Sequence, residues 1–451
     1  MGVNAVEIIV IGGGIGGLTA ALALAQGGHR VQVLERAARF AQPGSALRLA
    51  PNATAVLSRL GLLDHVLDLG SRPSRAVLRD LGSGAELAEL DLGAPLTARY
   101  GTPYVVIGRA DLLSVLADGC VDADVELRAG REVIAVDQSH LASSVMGGAV
   151  VSCARGRVYA GDVVLAADGA RSVARGLVGG GAPAVRDRSG EGWAAYRRTA
   201  HVDALAPDEA RDEVVAWMGP DAHFARYPIR VGEAYEQVAV FRSQLYPLIG
   251  PSPLSPLAGA ASPGGTGQGR AEAGQADAVR ADIGRAVQEW GGPEELDEAF
   301  SRAAGPVRAA VRSLRRVRGV RMIDRAPLAS WTNGRVALLG DAVHPMPAYL
   351  AQGACQAIED AAALASVLRD CPGPRGVESA LARYQARRAA RAIRVARARR
   401  VWESAPLTRR PADDYAVSDW LYAPQGRLAG GFERAPQGRR YGFWFATPWG
   451  S

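Results

Sequence analysis

Lysine is missing from this chain, and all 52 of its basic residues are arginine. The formal net charge is only +6 over 451 residues, and no arginine run alternates with aromatic residues. Those features exclude the charged, stacking surface of a nucleic-acid platform. The excess is read as a solvated arginine surface, and an anionic cofactor or substrate is the partner it would favour. Arginine without lysine also points to a GC-rich genome. Cysteine is scarce: Cys120, Cys153, Cys355 and Cys371 form no CxxC pair. No metal-ligand spacing exists, no metal is expected, and a reducing cytoplasm is the expected location. No stretch reaches the ~18 unbroken apolar residues of a membrane helix. The apolar N-terminus lacks a basic flank, carries Glu7 and is broken by glycines, so it is read as folded structure and not as a signal peptide.

What the chain has in quantity is glycine, 54 residues, within 48% hydrophobic content. Its length allows two or three domains and a large core. The glycines cluster first in "EIIVIGGGIGGLTAALALAQGG", which has the order strand, turn, helix. Gly12, Gly14 and Gly17 satisfy GxGxxG. Gly12 permits a tight turn, Gly14 lets backbone approach a pyrophosphate, and Gly17 lets helix pack on strand. The helix N-terminus adds N–H donors and positive potential. A second strand, "HRVQVLE", ends on Glu35, eighteen residues beyond Gly17. An acid there accepts hydrogen bonds from an adenosine ribose. This unit binds a dinucleotide, but it does not separate NAD from FAD.

Two later segments do. "VYAGDVVLAADGARSVARGLV" (158–178) is read as a strand ending on Asp168-Gly169. "RVALLGDAVHPMPAYLAQGACQAIEDAAAL" (335–364) is read as a strand ending on Gly340-Asp341, a long loop and a helix. Together with GxGxxG, these segments resemble the class A FAD-dependent aromatic monooxygenases. The likeness runs from residue 7 to about residue 400. It implies an α/β chain with a Rossmann-like FAD-binding domain of the p-hydroxybenzoate hydroxylase type. An antiparallel β-sheet substrate layer and a C-terminal helical region complete it. The expected boundaries are 1–75, 100–180 and 315–370 for the discontinuous FAD domain, 76–99 and 181–314 for the substrate domain, and 371–451 for the C-terminal region.

The resemblance implies FAD and NADH or NADPH as cofactors, with O2 and an aromatic substrate as reactants, through a flavin hydroperoxide. Gly12, Gly14, Gly17, Glu35 and Arg36 would hold the ADP half. Asp168 would lie near the pyrophosphate and serve the donor, and Arg109 would reach the flavin phosphates or ribityl chain. Asp341 would accept from the ribityl hydroxyls. Pro345, Gly353 and Ala354 would carry backbone and a helix N-terminus to the ring, where positive potential stabilises reduced flavin by ~0.3 to 2 kcal/mol. Arg48 is placed near the flavin. His344 is read as bracing its loop.

Between the second and third segments, "DEVVAWMGP", "HFARYPIR" and "YEQVAVFRS" (212–243) alternate in polarity and read as antiparallel strands. Alternation puts His223, Ala225 and Tyr227 on one face and Phe224 and Arg226 on the other. His223 and Tyr227 would stand ~13 Å apart. "WMGPDAHFARYPIR" and "YLAQGACQAIEDA" resemble the branch containing 3-hydroxybenzoate 6-hydroxylase and salicylate hydroxylase. The catalytic roles implied there fall on His223, Tyr227 and Gln352. A His223 of near-neutral pKa would take the substrate's phenolic proton, while Gln352 and Tyr227 orient hydroxyl and carboxylate. The chain departs from the pattern at Gly108, Ala46 and Arg198.

Residues 251–278 are rich in Pro, Gly, Ser and Ala and read as a mobile insertion. Residues 377–404 read as a long helix with a solvated arginine face. Hydroxylation of a phenol or aromatic acid is the first expectation. A larger polyketide or alkaloid substrate, hydroxylated or epoxidised, is the second. A non-catalytic, redox-responsive flavin module is the third. No nucleic acid or membrane span is expected, and a homodimer is left open.

Overall fold

The computed structural model describes residues 5–40, 44–138, 148–179, 192–205, 211–245, 291–322, 328–346, 351–404 and 422. The proposed insertion at 251–278 lies outside them. A six-stranded sheet forms the first layer. Its order is Thr332–Asn333, Val336–Leu338, Val163–Ala166, Glu7–Ile11, Arg30–Leu34 and Glu126–Arg128. Every pair is parallel except the first. Parallel strands buried on both faces need apolar side chains throughout, and Ile8 to Val10 and Val163 to Ala166 are buried accordingly. Helices Ile15–Gln26 and Gly353–Arg369 pack together on this sheet.

The segment read as one strand after Val158 is two. Val158–Gly161 joins a three-stranded antiparallel sheet, and Val163–Ala166 enters the six-stranded one. Asp162 alone separates them. The other boundaries follow the sequence reading closely, with strands at Glu7–Ile11, Arg30–Leu34, Glu213–Met218, Ala222–Ile229 and Ala234–Arg242.

The second layer is a seven-stranded sheet whose centre is Trp193–His201, Ala234–Arg242, Ala222–Ile229 and Glu213–Met218. Strand alternation gives it two different faces. Phe224, Trp217, Tyr196 and Phe241 point outward into a second core with Phe300, which ends helix Pro293–Ala299, and with Val307 and Leu314 of helix Gly305–Leu314. Arg226 lies on that side too, over the Trp217 and Tyr235 rings. The opposite face looks back toward the first layer. Among the described residues, no helix is long and apolar enough to cross a membrane.

Candidate active site

One cavity of about 300 Å³ joins the two layers. Gly14, Ile15 and Gly16 form one end, and Arg109, Gly340, Asp341, Gly353 and Ala354 border the middle. Ala216, Met218, His223, Ala225, Tyr227, Val238 and Val240, all on the inner face of the seven-stranded sheet, close the other end. The register explains that grouping, because His223 pairs with both Met218 and Val240, and Ala225 with Ala216 and Val238. Side chains directly across a sheet share a face.

The glycine turn can be tested for an anionic dinucleotide. Gly12 has φ +101°, and a Cβ there would lie 2.6 Å from the Ala167 carbonyl oxygen. A Cβ on Gly17 would lie 2.0 Å from the Gly12 oxygen, so helix and turn meet backbone to backbone. A Cβ on Gly14 would meet nothing within 4 Å. Gly14 is therefore the position where empty space, and not packing, adjoins the backbone. The N-termini of two helices, of 12 and 17 residues, open into this cavity at Gly14 to Gly16 and at Gly353 to Ala354. Each supplies N–H groups without intrahelical partners. The cradle fits a molecule with a pyrophosphate at one end and an electron-accepting ring at the other, as FAD has.

The acids of the three segments are placed differently from one another. Glu35 accepts the Gly13 and Ala37 N–H groups, both at 2.7 Å, and so braces the glycine turn. Arg36 is exposed, and its charge acts on Asp168. Asp168 accepts the Val173 N–H at 2.7 Å; burial raises its carboxyl, against the pull of Ser172, the Val173 N–H and Arg36. Asp341 opens toward the cavity. Desolvation raises it above the usual carboxylate range, although His344 and Arg109 pull it down. Pro345 is buried beside the cavity wall, next to Met346, which is part of that wall.

Behind Asp341 lies a buried ionic network. His344 Nε2 meets Asp360 Oδ2, and Arg388 Nε donates to Asp360 Oδ1 at 2.7 Å. Arg388 also pairs with Glu359, whose Oε2 accepts from Arg391 Nε at 2.7 Å. Burial opposes the charge on both acids, yet Arg388, with Arg391 at Glu359 and His344 at Asp360, holds them below the ordinary carboxylate range. Arg388 is fully buried although it stands on the helix Val377–Ser404, read from sequence as a solvated arginine face.

Gln352 belongs to this network and not to the cavity wall. Its Oε1 accepts from Asn52 Nδ2 and Gln356 Nε2, both at 3.2 Å. Asn52 and Gln356, the two amides that meet Gln352, also donate to the buried acid Glu359. His223 and Tyr227 do share the wall, as alternation requires. The near-neutral pKa expected of His223 does not hold, because burial first, and the Arg48 charge second, lower it to about 3. Arg48, expected near the flavin, lines the same cavity. Its guanidinium carbon stands 5.2 Å from the centre of the Tyr227 ring, at the sheet end of the cavity. Arg197, on strand Trp193–His201, donates to Ser45 Oγ at 2.5 Å.

Comparison with known proteins agrees with this geometry. The family model described as "FAD binding domain" matches residues 5–239 and 271–399. The 3-amino-4-hydroxybenzoate 2-monooxygenase of Streptomyces platensis is 31% identical over 457 residues, covering 96% of this chain and 98% of that one. The 3-hydroxybenzoate 6-hydroxylase 1 of Aquipseudomonas alcaligenes is 32% identical over 398 residues, 86% of each chain. Among solved structures, Klebsiella pneumoniae HpxO complexed with FAD and uric acid superposes with a TM-score of 0.66 at 27% identity, covering 88% of this chain and 87% of that one. A salicylate hydroxylase substrate complex, at 22% identity and a TM-score of 0.67 over 89% of this chain and 88% of that one, shares the fold. With a glycine cradle, two helix N-termini and an aromatic-sized cavity in one continuous space, the chain belongs to the FAD-dependent aromatic monooxygenases.

Proposed function

We propose that this enzyme hydroxylates the ring of a phenolic aromatic acid, using NADH or NADPH and O2. The observation that carries the reading is a continuous cavity that runs from the glycine turn to the inner face of the seven-stranded sheet. One oxygen atom enters the ring in place of hydrogen, the other leaves as water, and the donor supplies two electrons. The relatives named for hydroxybenzoates support an acid of that size.

In this reading Gly12, Gly14, Gly17, Glu35 and Arg109 hold the FAD phosphates and adenosine, and Gly353 and Ala354 present a helix N-terminus to its ring. Asp341 takes the ribityl hydroxyls, and Asp168 keeps the donor side in shape. FAD, when bound, accepts electrons from the nicotinamide and delivers them to oxygen. Ala216, Met218, Ala225, Val238 and Val240 exclude water and hold the ring by apolar contact. His223 is neutral at working pH and offers a nitrogen lone pair to the ring hydroxyl. It orients that hydroxyl for attack on the ring carbon.

Two measurements together test the proposal. Donor oxidation by the FAD-loaded enzyme should accelerate with particular phenolic acids from a panel, and mass spectrometry should find those acids enlarged by one oxygen. Donor oxidation indifferent to every aromatic acid, with no oxygenated product, would refute it.

A further inference from the structure

A second cavity, of about 500 Å³, opens between helices Pro51–Arg59, Gly353–Arg369 and Val377–Ser404 and shares no lining residue with the first. Helical spacing builds its walls. Asn52, Val56 and Arg59 stand at i, i+4 and i+7, on one face of their helix, and Glu359, Ala363 and Ser366 repeat that spacing on the facing helix. Arg387 closes the third side and donates to Ser366 Oγ at 3.1 Å. The two ends of this space differ. Asn52 and Glu359 are buried at the inner end, and Arg59 is exposed at the mouth. Glu359 is already met by Arg388 and Arg391. Asn52 is only half satisfied. Its Nδ2 donates to Gln352 at 3.2 Å and to Glu359, but among the described residues no donor reaches its buried Oδ1. A buried acceptor left open is costly, and a ligand that brings an O–H or N–H to it removes that cost.

We propose that this cavity is a second binding site, for a small organic acid that carries a hydroxyl. The hydroxyl donates to Asn52 Oδ1, the carbon frame lies on Val56 and Ala363, and the carboxylate meets Arg59. Seven positions along a helix span ~10 Å, and a long side chain leans back toward the helix N-terminus. The distance left between acceptor and guanidinium suits one substituted ring. The apolar stretch between them favours such a frame over a chain of polar groups. The inference goes beyond the hydroxylase reading and stands apart from it, since it needs no turnover and uses none of the residues that line the first cavity.

Calorimetry on the oxidised, FAD-loaded enzyme without donor tests it, with flavin absorbance followed in parallel to mark binding in the first cavity. The probes are 4-hydroxybenzoate, benzoate, which lacks the donor, and 4-hydroxybenzamide, which lacks the charge. 4-Hydroxybenzoate should show a binding event that leaves the flavin spectrum unchanged, and there the other two probes should bind at least about fivefold more weakly. Arg59→Gln should weaken that event roughly 5- to 20-fold and bring acid and amide together. Ser366→Trp, which fills the groove from a half-buried position, should abolish it. Both variants should leave FAD binding and any flavin-linked event at parental levels. Absence of a flavin-silent event in the parent would overturn the proposal. So would a silent event that Arg59→Gln or Ser366→Trp leaves untouched, or one that does not distinguish the three probes. Loss of FAD or of the flavin-linked event in either variant would assign these residues to the first cavity and overturn it too. The hydroxylase reading fails separately, when no aromatic acid stimulates donor oxidation in the parent.

Discussion

His344 Nε2 lies 2.6 Å from Asp360 Oδ2, and the same carboxylate oxygen accepts the Gly340 N–H at 2.9 Å. One buried acid thus fixes both ends of the short turn that presents Asp341 to the cavity. His344 is fully buried in this contact and acts as a brace.

The network behind that brace should control acid stability. Glu359 and Asp360 have folded pKa values below their ordinary 4.5 and 3.8, so on acidification the unfolded chain binds protons first. Their contribution is complete above those ordinary values and declines as pH falls through the folded ones. Between pH 7 and pH 5 the parent's thermal midpoint should therefore owe no loss to them. Arg388→Met removes the shared cation and should cost about 3 to 5 kcal/mol at pH 7. Part of that loss should return at pH 5, where the stranded acids can protonate. Calorimetric melts at the two pH values check this, and equal losses at both would contradict it.

Gly14→Ala and Gly17→Ala should separate binding from folding. The Gly14 methyl enters empty cavity at φ −79°, ordinary for alanine, so the apo protein should melt within about 1 kcal/mol of the parent. FAD affinity should fall at least tenfold, because the methyl occupies the space left for phosphate. Gly17→Ala forces a methyl against backbone at 2.0 Å and should destabilise the apo protein by several kcal/mol. Flavin fluorescence titration and apo melts would reveal the reverse order if the assignment were wrong.

Asp341→Ala should loosen FAD more than Asp168→Ala does, by about 10- to 100-fold in affinity. The folded pKa of Asp341 is raised, so its ionised form costs stability at neutral pH, and that cost fades as pH falls through the raised value. Apo Asp341→Ala should therefore melt no lower than the parent at pH 7. Asp168→Ala loses the bond to Val173 and should mainly slow reduction by the nicotinamide. Rapid-mixing reduction kinetics and equilibrium dialysis distinguish the two, and identical behaviour would count against the division.

His223→Ala should retain FAD and still oxidise the donor, while product per donor consumed falls on the order of 10²-fold from lost orientation. Hydrogen peroxide should appear in place of product. Because His223 is held near 3, no break in kcat/KM between pH 5 and 8 should belong to it. A parent break near 6.5 that vanishes in His223→Ala would show that the imidazole carries a proton during turnover.

The sequence made the flavin cradle readable because backbone constraint leaves a residue signature. Gly12 and Gly17 have no alternative, and an acid at the end of the second strand is conspicuous. Period-two polarity likewise made the face of His223, Ala225 and Tyr227 readable before any coordinates. What stayed hidden were side-chain partnerships across hundreds of residues. Arg388 looks like every other arginine on its helix, and only the adjacent acids Glu359 and Asp360 in an alanine-rich, buried helix hint that a buried cation must meet them. Arg48 lies 179 positions before Tyr227, and no periodicity links them. The depressed His223 pKa follows from enclosure by several elements at once, which a single strand cannot disclose.

The two-faced central sheet has an evolutionary corollary. Along strand Ala222–Ile229, alternate positions answer to different selective pressures. His223, Ala225 and Tyr227 line the cavity, whereas Phe224 and Arg226 meet the rings of Trp217 and Tyr235. Enlarging Ala216, Ala225 or Val238 would reshape the space for a ring while leaving the aromatic layer behind it intact. Drift in preferred substrate can thus proceed on one parity of the strand while the other conserves the scaffold, and a library meant to change specificity should be confined to that parity.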